Sequence, residues 1–293
     1  MPPRRTTKPR VAIVGAGNLG TALALSLGEA GYAVTEVVAR GTPGSRRRAQ
    51  MLARKIGGQV VITEKDEISA KVVWICVPDR EIRNCAETLA AIGNWRGKIV
   101  FHASGALGSG ELRALRKRGA AIASVHPLMT FVRGVVPTLT GVPFAVEGDV
   151  AAVRMARRLV RDLGGQSFAI RGDRKAAYHA WGSFASPLLV ALLVTTERVA
   201  GEAGVSRTEA RRRMLPIIRQ TLANYAERGP DRSFSGPIIR GDGSTLEKHL
   251  RLLRKLPDAR HVYLALARSA LRSLPVKNRE QLGKVLGRTR SGR

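Results

Sequence analysis

The stretch VAIVGAGNLGTALA, residues 11–24, constrains this chain more than any other part of it. Four apolar residues predict a buried strand, and the residues after Gly20 open a helix. Between them Gly15, Gly17 and Gly20 keep the spacing G-x-G-x-x-G. The first glycine permits a tight turn, the second lets backbone approach a pyrophosphate, and the third lets the helix pack close to the sheet. The free N–H groups of the helix start then face the phosphates. The strand–turn–helix context lifts the pattern above a chance run of glycines. Asn18 and Leu19, inside the turn, belong to the same expected cofactor-binding segment.

The next 150 residues repeat the strand–helix alternation. Strands are expected at Val11–Val14, Val34–Ala39, Val60–Thr63, Val72–Val77, Lys98–His102, Ala121–Val125, Pro143–Val146 and Gln166–Ile170. Nearly all-apolar strands separated by amphipathic helices imply a mainly parallel sheet covered on both faces. After Gly172 the strand signals stop. Residues 173–200 read as one long apolar helix, and Ser206 with Glu209 has the spacing of a capping box. Residues 229–243 read as a loop, Ser244 with Glu247 repeats the capping spacing, and Asp258 is placed to cap a fourth helix. At 293 residues, two domains are expected. The predicted class is α/β: a doubly wound Rossmann domain at 11–172 and an all-helical substrate and dimerisation domain at 173–276. Basic tails at 1–10 and 277–293 flank them.

The end of the second strand bears on cofactor choice. NAD sites place an acid there for the ribose 2′-hydroxyl. This chain has Val38-Ala39-Arg40 and then GTPGSRRR, with Glu36 too early in the strand. The planar fork of Arg40 suits a 2′-phosphate, and Ser45 and Arg46 add donors. Three arginines at a helix start are unfavourable for the helix dipole unless an anion sits there. NADP(H) is therefore the expected cofactor. Val77 and Pro78, at the end of another strand, are expected beside it. Ser104, at the end of a further one, is expected to border the substrate.

The helix from Lys175 carries the expected chemistry. Lys175, His179, Gly182 and Ser186 fall on one stripe at helical spacing. A Lys and a His one turn apart on a largely buried helix are expected to lower each other's pKa, which suits proton donation during hydride transfer. His126 ends a strand in Val125-His126-Pro127 and joins the candidates, while His102 ends another strand and is read as pointing into packing. Arg240 and Asp242, in the loop GPIIRGDG, are expected to face the substrate as part of a lid, with Arg240 or another basic loop group holding a carboxylate, or to form a subunit contact.

Composition sets the remaining bounds. Cys76 and Cys85 are the only cysteines, without metal-type spacing, so no disulfide framework is expected and a reducing compartment is the default. No signal-type apolar region follows the basic start, and the longest apolar run, 184–194, is short for a membrane span. A soluble cytoplasmic protein is expected. The net charge is +28, yet aromatic residues make up only 4%, which leaves little material for base stacking and argues against a nucleic-acid partner.

The segments GAGNLG, CVPD, HASGAL, SVHPLMTF, KAAYHAWGSFAS and GPIIRGDGSTLEKHL together resemble a Rossmann-like family that carries the domain of unknown function 2520 at its C-terminus. The resemblance runs from Val11 to about Leu274. The family lies in the wider group of pyrroline-5-carboxylate reductase, ketopantoate reductase and the β-hydroxyacid dehydrogenases. The resemblance implies NADP(H) binding, a helical C-terminal domain and a homodimer through it. In β-hydroxyacid dehydrogenases a Lys and an Asn on the interdomain helix serve catalysis. Lys175 resembles that Lys; His179 stands one turn on, and Ser186-Pro187 replaces the expected Ser-Asn. An NADP(H)-dependent oxidoreductase acting on a small C=O or C=N compound is thus expected. The alternatives are a dinucleotide binder without turnover, used for redox sensing or as a scaffold, and nucleic-acid binding through the basic tails. A homodimer is also expected from the residues themselves: a helix apolar all round needs cover that its basic companion helices lack.

Overall fold

A computed structural model describes residues 8–287; the outer parts of both expected tails, 1–7 and 288–293, lie outside the described residues. The chain divides into two compact units, the first ending at Phe184 and the second starting at Ala185.

The first unit is built on one eight-stranded sheet. Its strands are β1 (Val11–Val14), β2 (Val34–Ala39), β3 (Gln59–Ile62), β4 (Val72–Ile75), β5 (Ile99–His102), β6 (Ala121–Pro127), β7 (Pro143–Gly148) and β8 (Gln166–Ala169). They lie in the order β3-β2-β1-β4-β5-β6-β7-β8. All pairs are parallel except β6 with β7, which run antiparallel with His126 opposite Ala145. The order reverses beside β1, so the C-terminal ends of β1 and β4 open a crevice, where such sheets take ligands. Alternate residues of each strand face opposite sides. Val11 and Ile13 join Leu23, Leu27, Trp74, Phe101 and Leu159 in one core. Ala12 and Val14 join Val73, Ile75, Ile82, Leu89, Leu112 and Leu115 in the other. The helices covering these faces are α1 (Asn18–Glu29), α2 (Pro43–Ile56), α3 (Asp79–Ala91), α4 (Arg113–Lys117) and α5 (Val150–Asp162); α6 (Lys175–Ala185) follows.

Two polar features, one buried and one exposed, tie neighbouring segments to the first unit. Glu36 is 1% exposed and accepts from the N–H groups of Ser69 and Ala70, both at 2.8 Å, so it fastens the segment before β4. Lys8 is more than tail. Its ammonium donates to the Ala30 carbonyl, lies 3.4 Å from Asp162 and sits over the Tyr32 ring.

The second unit consists of α7 (Pro187–Gly201), α8 (Arg207–Ser233), the single turn α9 (Pro237–Arg240), α10 (Gly243–Leu252), α11 (Pro257–Ser273) and α12 (Arg279–Gly287). Several expectations are corrected here. The long helix expected at 173–200 is two helices, broken at Ser186 (φ −128°, ψ −79°), because Pro187 takes the first turn of α7, where its missing N–H costs nothing. The expected loop 229–243 is largely helical: α8 continues past a kink at Gly229 (φ 74°), and α9 follows. Ser206 does cap α8, accepting from Glu209 N. The cap of α10 is Asp242 rather than Ser244. Asp258 stands inside the first turn of α11, not at its cap. Residues 279–287, expected as tail, form α12, whose Leu282 and Leu286 are buried with Leu246, Leu250 and Leu264. Nor does the division fall at Gly172, since α6 sends Lys175 and Tyr178 into the first unit.

Candidate active site

At the crevice beside β1 a cleft of about 360 Å³ is lined by Gly15, Gly17, Val38, Arg40, Ser45, Arg48, Val77 and Pro78, with Glu64 and Glu81 among the other walls. The three glycines do distinct work. Gly15 has φ +97°, and a Cβ there would lie 2.8 Å from the Cys76 carbonyl oxygen. A Cβ on Gly20 would come within 2.0 Å of the Gly15 carbonyl oxygen, so only glycine lets α1 pack this closely. At Gly17 a Cβ would meet nothing within 4 Å: the space above it is open, as a backbone cradle for a pyrophosphate requires. Asn18 and Leu19 do not line the cleft. Asn18 donates to the Phe131 carbonyl at 3.2 Å, and Leu19 packs on the core.

The far end of the cleft is basic but shared. Arg40 N–H donates to Ser45 Oγ at 3.1 Å, and the Arg40 guanidinium lies 3.4 Å from Glu81. Arg46 is not among the lining residues; Arg48 is. With α2 starting at Pro43, residues 45 and 48 are one turn apart and share a face that 46 does not. Both cysteines are free and also line this cleft. Burial raises both thiols, that of Cys85 to about 12, so neither is a thiolate at neutral pH.

The second cluster stands at the C-terminal ends of β4, β5 and β6. Lys175 is fully buried. Its ammonium donates to the Ser104 carbonyl at 2.7 Å and to Ser124 Oγ. Burial lowers its pKa to about 8, against the opposing pull of Glu147 and Asp79. Burial, not a mutual effect with His179, is thus the source of the shift. Ser104 is built in just as firmly. Its hydroxyl donates to Asp79 at 2.8 Å and accepts from the N–H groups of Ala106 and Leu107, which folds the HASGAL loop and occupies its one donor and both acceptor positions. His102 is buried and locked, with Nε2 3.0 Å from the Gly108 carbonyl and Nδ1 accepting from Ser104 N; burial takes its pKa to about 4.

His126 and His179 face each other in a T-shaped pair, ring centroids 6.3 Å apart. Gly105 lies against both rings. A Cβ there would be 2.8 Å from His179 Cδ2 and 2.9 Å from His126 Nε2. Burial, then the charge of Lys175 and the rings of His179 and His102, lowers the His126 pKa to about 4. Tyr178, which the sequence reading passed over, stands 2.8 Å from His126 Nδ1. Its signal was its place three residues after Lys175, on the same buried side of α6.

The remaining candidates belong to the second unit. Ser186 lies at the break before α7, in the second unit, and no longer shares a helix with Lys175. Asp242 accepts from Thr245 Oγ1, Thr245 N and Ser244 Oγ, which hold its carboxyl down at about 2 and make it the cap of α10. Arg240 ends α9, exposed, also in the second unit.

A Rossmann-like domain model matches residues 3–127, and the model described as Domain of unknown function (DUF2520) matches residues 142–270. No curated protein matches the chain. Among solved structures, a Bacteroides fragilis protein provisionally described as an NADP oxidoreductase is 20% identical, with a TM-score of 0.75 over 90% of this chain and 98% of its own. A reductive aminase of Aspergillus terreus, in complex with NADPH and ethyl-5-oxohexanoate, is 16% identical, with a TM-score of 0.64 over 95% of this chain and 99% of its own. A pyrroline-5-carboxylate reductase of Coxiella burnetii is 13% identical, with a TM-score of 0.59 over 95% and 98%. At these identities the likeness is one of fold. The chain therefore carries a Rossmann-like domain followed by the domain of unknown function DUF2520.

Proposed function

We propose that the protein is an NADP(H)-dependent oxidoreductase acting on a small compound with a C=O or C=N bond. The observation that carries this reading is the pairing of two sites on the same edge of one sheet. The glycine-lined cleft lies at the ends of β1, β2 and β4, and the His126–His179 pair with the Lys175 cluster lies at the ends of β4, β5 and β6. Two facing imidazoles at the strand ends favour turnover over mere binding of a dinucleotide. The similarity to an NADPH-bound reductive aminase and a provisionally described NADP oxidoreductase supports the same reading.

Gly15, Gly17 and the start of α1 would hold a pyrophosphate, Arg40, Ser45 and Arg48 would hold a 2′-phosphate, and Val77 and Pro78 would line the same cleft. When bound, the nicotinamide supplies or accepts the hydride. The protein's own residues orient the substrate and move the proton. Ser104 and Lys175 position the loop and strand ends from behind, while His126 and His179 form the face toward the reacting atoms.

A homodimer through the second unit belongs to the same proposal. One stretch, Gly172–Gly201, is long and apolar enough by composition to cross a membrane. It includes the buried Lys175 and Tyr178 and is broken at Ser186. Its intact part, the 15 residues of α7, spans about 22 Å, short of a bilayer core of about 30 Å. A second copy is the better cover for the exposed apolar side chains of α7 and α8. A cytoplasmic setting fits the two free thiols.

Titration by quenching of protein fluorescence tests the cofactor. NADPH is expected to bind well and NADH weakly. Arg40→Asp is expected to weaken NADPH by about 10- to 100-fold, the loss of one charge-assisted contact of roughly 1.5–3 kcal/mol. Equal affinity for the two cofactors would overturn the assignment of Arg40, Ser45 and Arg48.

A further inference from the structure

Tyr178 determines what His126 can do. The phenol is 6% exposed. Its ring meets the His126 imidazole edge-on at 5.5 Å and is held by Phe168 and Trp181 at 5.9 and 6.0 Å. A phenol has one proton to give. Its two acceptors within reach are His126 Nδ1 at 2.8 Å and the His126 carbonyl at 3.5 Å. The second is long for an O–H···O bond. Burial lifts the Tyr178 pKa to about 12, so the proton stays on the phenol, and it points at Nδ1. A neutral imidazole that accepts at Nδ1 carries its hydrogen on Nε2.

Nε2 is open. It has no hydrogen-bond partner among the described residues, and it is not one of the sealed, unpartnered side-chain atoms, which are Thr35 Oγ1, Trp74 Nε1 and Arg260 Nε. It sits beside Gly105, the residue whose missing side chain makes room for both imidazoles. The groups facing His126 are Lys175, Tyr178 and His179 from α6 and His102 from β5. None is an acid, so nothing close by favours a second proton on the ring.

We propose that His126 serves as a neutral Nε2–H donor whose tautomer is set by Tyr178 as a positioning residue, and that the site consequently takes an uncharged carbonyl compound rather than an iminium ion. This rests on the oxidoreductase reading and narrows its substrate. A carbonyl oxygen has lone pairs that accept the Nε2 hydrogen bond. An iminium nitrogen has none, and the Lys175 ammonium repels its charge. The step balances. A hydride from reduced nicotinamide forms the new C–H bond, and the C=O π pair moves to oxygen. That oxygen takes the Nε2 proton while Nδ1 takes the Tyr178 proton; Nδ1 then returns it to the phenolate as Nε2 takes one from a water, which leaves as hydroxide. The imidazole is neutral before and after and ends in the tautomer it began in.

Proton-detected ¹⁵N spectra of the histidine rings test this on the full chain, with His126→Asn to assign the signal. The expected wild-type result is a ring protonated at Nε2 and uncharged from pH 8 to pH 5.5. Tyr178→Phe keeps the ring packing and is expected to leave the proton shared between both nitrogens. A wild-type ring protonated at Nδ1, or one that gains a second proton above pH 5.5, overturns the proposal; an unchanged tautomer in Tyr178→Phe overturns the role of Tyr178. With NADPH present, cyclopentanone is expected to shift the Nε2–H resonance and N-methyl-1-pyrrolinium to leave it in place. A shift with the iminium, or none with the ketone, overturns the substrate class. Failure of NADPH to bind would undo the oxidoreductase reading instead, and the tautomer of the free protein would still be measured.

Discussion

Trp74 and Phe101 stack edge to face in the first unit without exposure, whereas Ile217 and Tyr225 of the second stand 68% and 59% exposed. The first unit seals both faces of its sheet with its own helices, and even its ionisable groups lie inside: Glu36, His102 and Lys175 are all buried. In the second, α10, α11 and α12 close around Leu246, Leu264 and Leu282. There α7 and α8 leave Leu188, Val190, Val194, Ile217 and Leu222 in the open. Apolar content alone does not separate these cases. The sheet provides two faces and takes helices on both. A pair of packed helices leaves a face that neither of them covers.

The contrast should break first at Gly20. A Cβ 2.0 Å from the Gly15 carbonyl oxygen cannot be absorbed by a flexible side chain. Gly20→Ala is expected to cost the first unit about 3–5 kcal/mol, among the most damaging of single substitutions, and to abolish NADPH binding. Urea denaturation followed by tryptophan fluorescence would read this, since Trp74, Trp95 and Trp181 all lie in the first unit, and an unchanged midpoint would mean that α1 packs otherwise.

Acid should come next, through the first unit. His102 and His126 both have folded pKa values near 4 against an ordinary 6.5. Between those values the unfolded chain binds more protons, so stability falls as pH falls from 6.5 to 4. The expected loss is roughly 3 kcal/mol for each ring. A double His102→Gln, His126→Gln variant should have a flatter profile over that window, and an identical profile would place the acid sensitivity elsewhere.

The smallest effect on the chain itself is expected in the second unit. Ile217→Asp should change the stability of a single copy by under about 0.5 kcal/mol, since the residue is exposed. It should nevertheless turn a dimer into a monomer of 31.6 kDa. Light scattering at micromolar concentration in moderate salt reads the mass without interference from basic surfaces. A wild-type monomer there would remove the case for the dimer.

The strands were legible because a strand buried on both faces is written as a run of Val, Ile and Ala, and the glycine loop because each glycine answers a local demand. What escaped depends on distant partners or on where a helix starts. The burial of Lys175 is decided by Ser124 and by the Ser104 carbonyl, far from it in sequence. Arg48 replaces Arg46 in the cleft only because α2 begins at Pro43. Asp242 and Ser244 are both good caps, and only the path of the backbone chooses between them. The break at Ser186 could have been read, since Pro187 disfavours helical backbone at the residue before it.

Lys8 decides how far the chain can be trimmed. Its ammonium joins the end of α1, the Tyr32 ring and the Asp162 carboxylate at one point, just ahead of the first strand. At the other end, Leu286 is 1% exposed within the second unit, and its carbonyl takes a hydrogen bond from Arg268. A shortened protein that starts after Lys8 or stops before Leu286 gives up packing as well as charge. Any effect of such cuts on binding to polyanions would then be confounded with loss of fold.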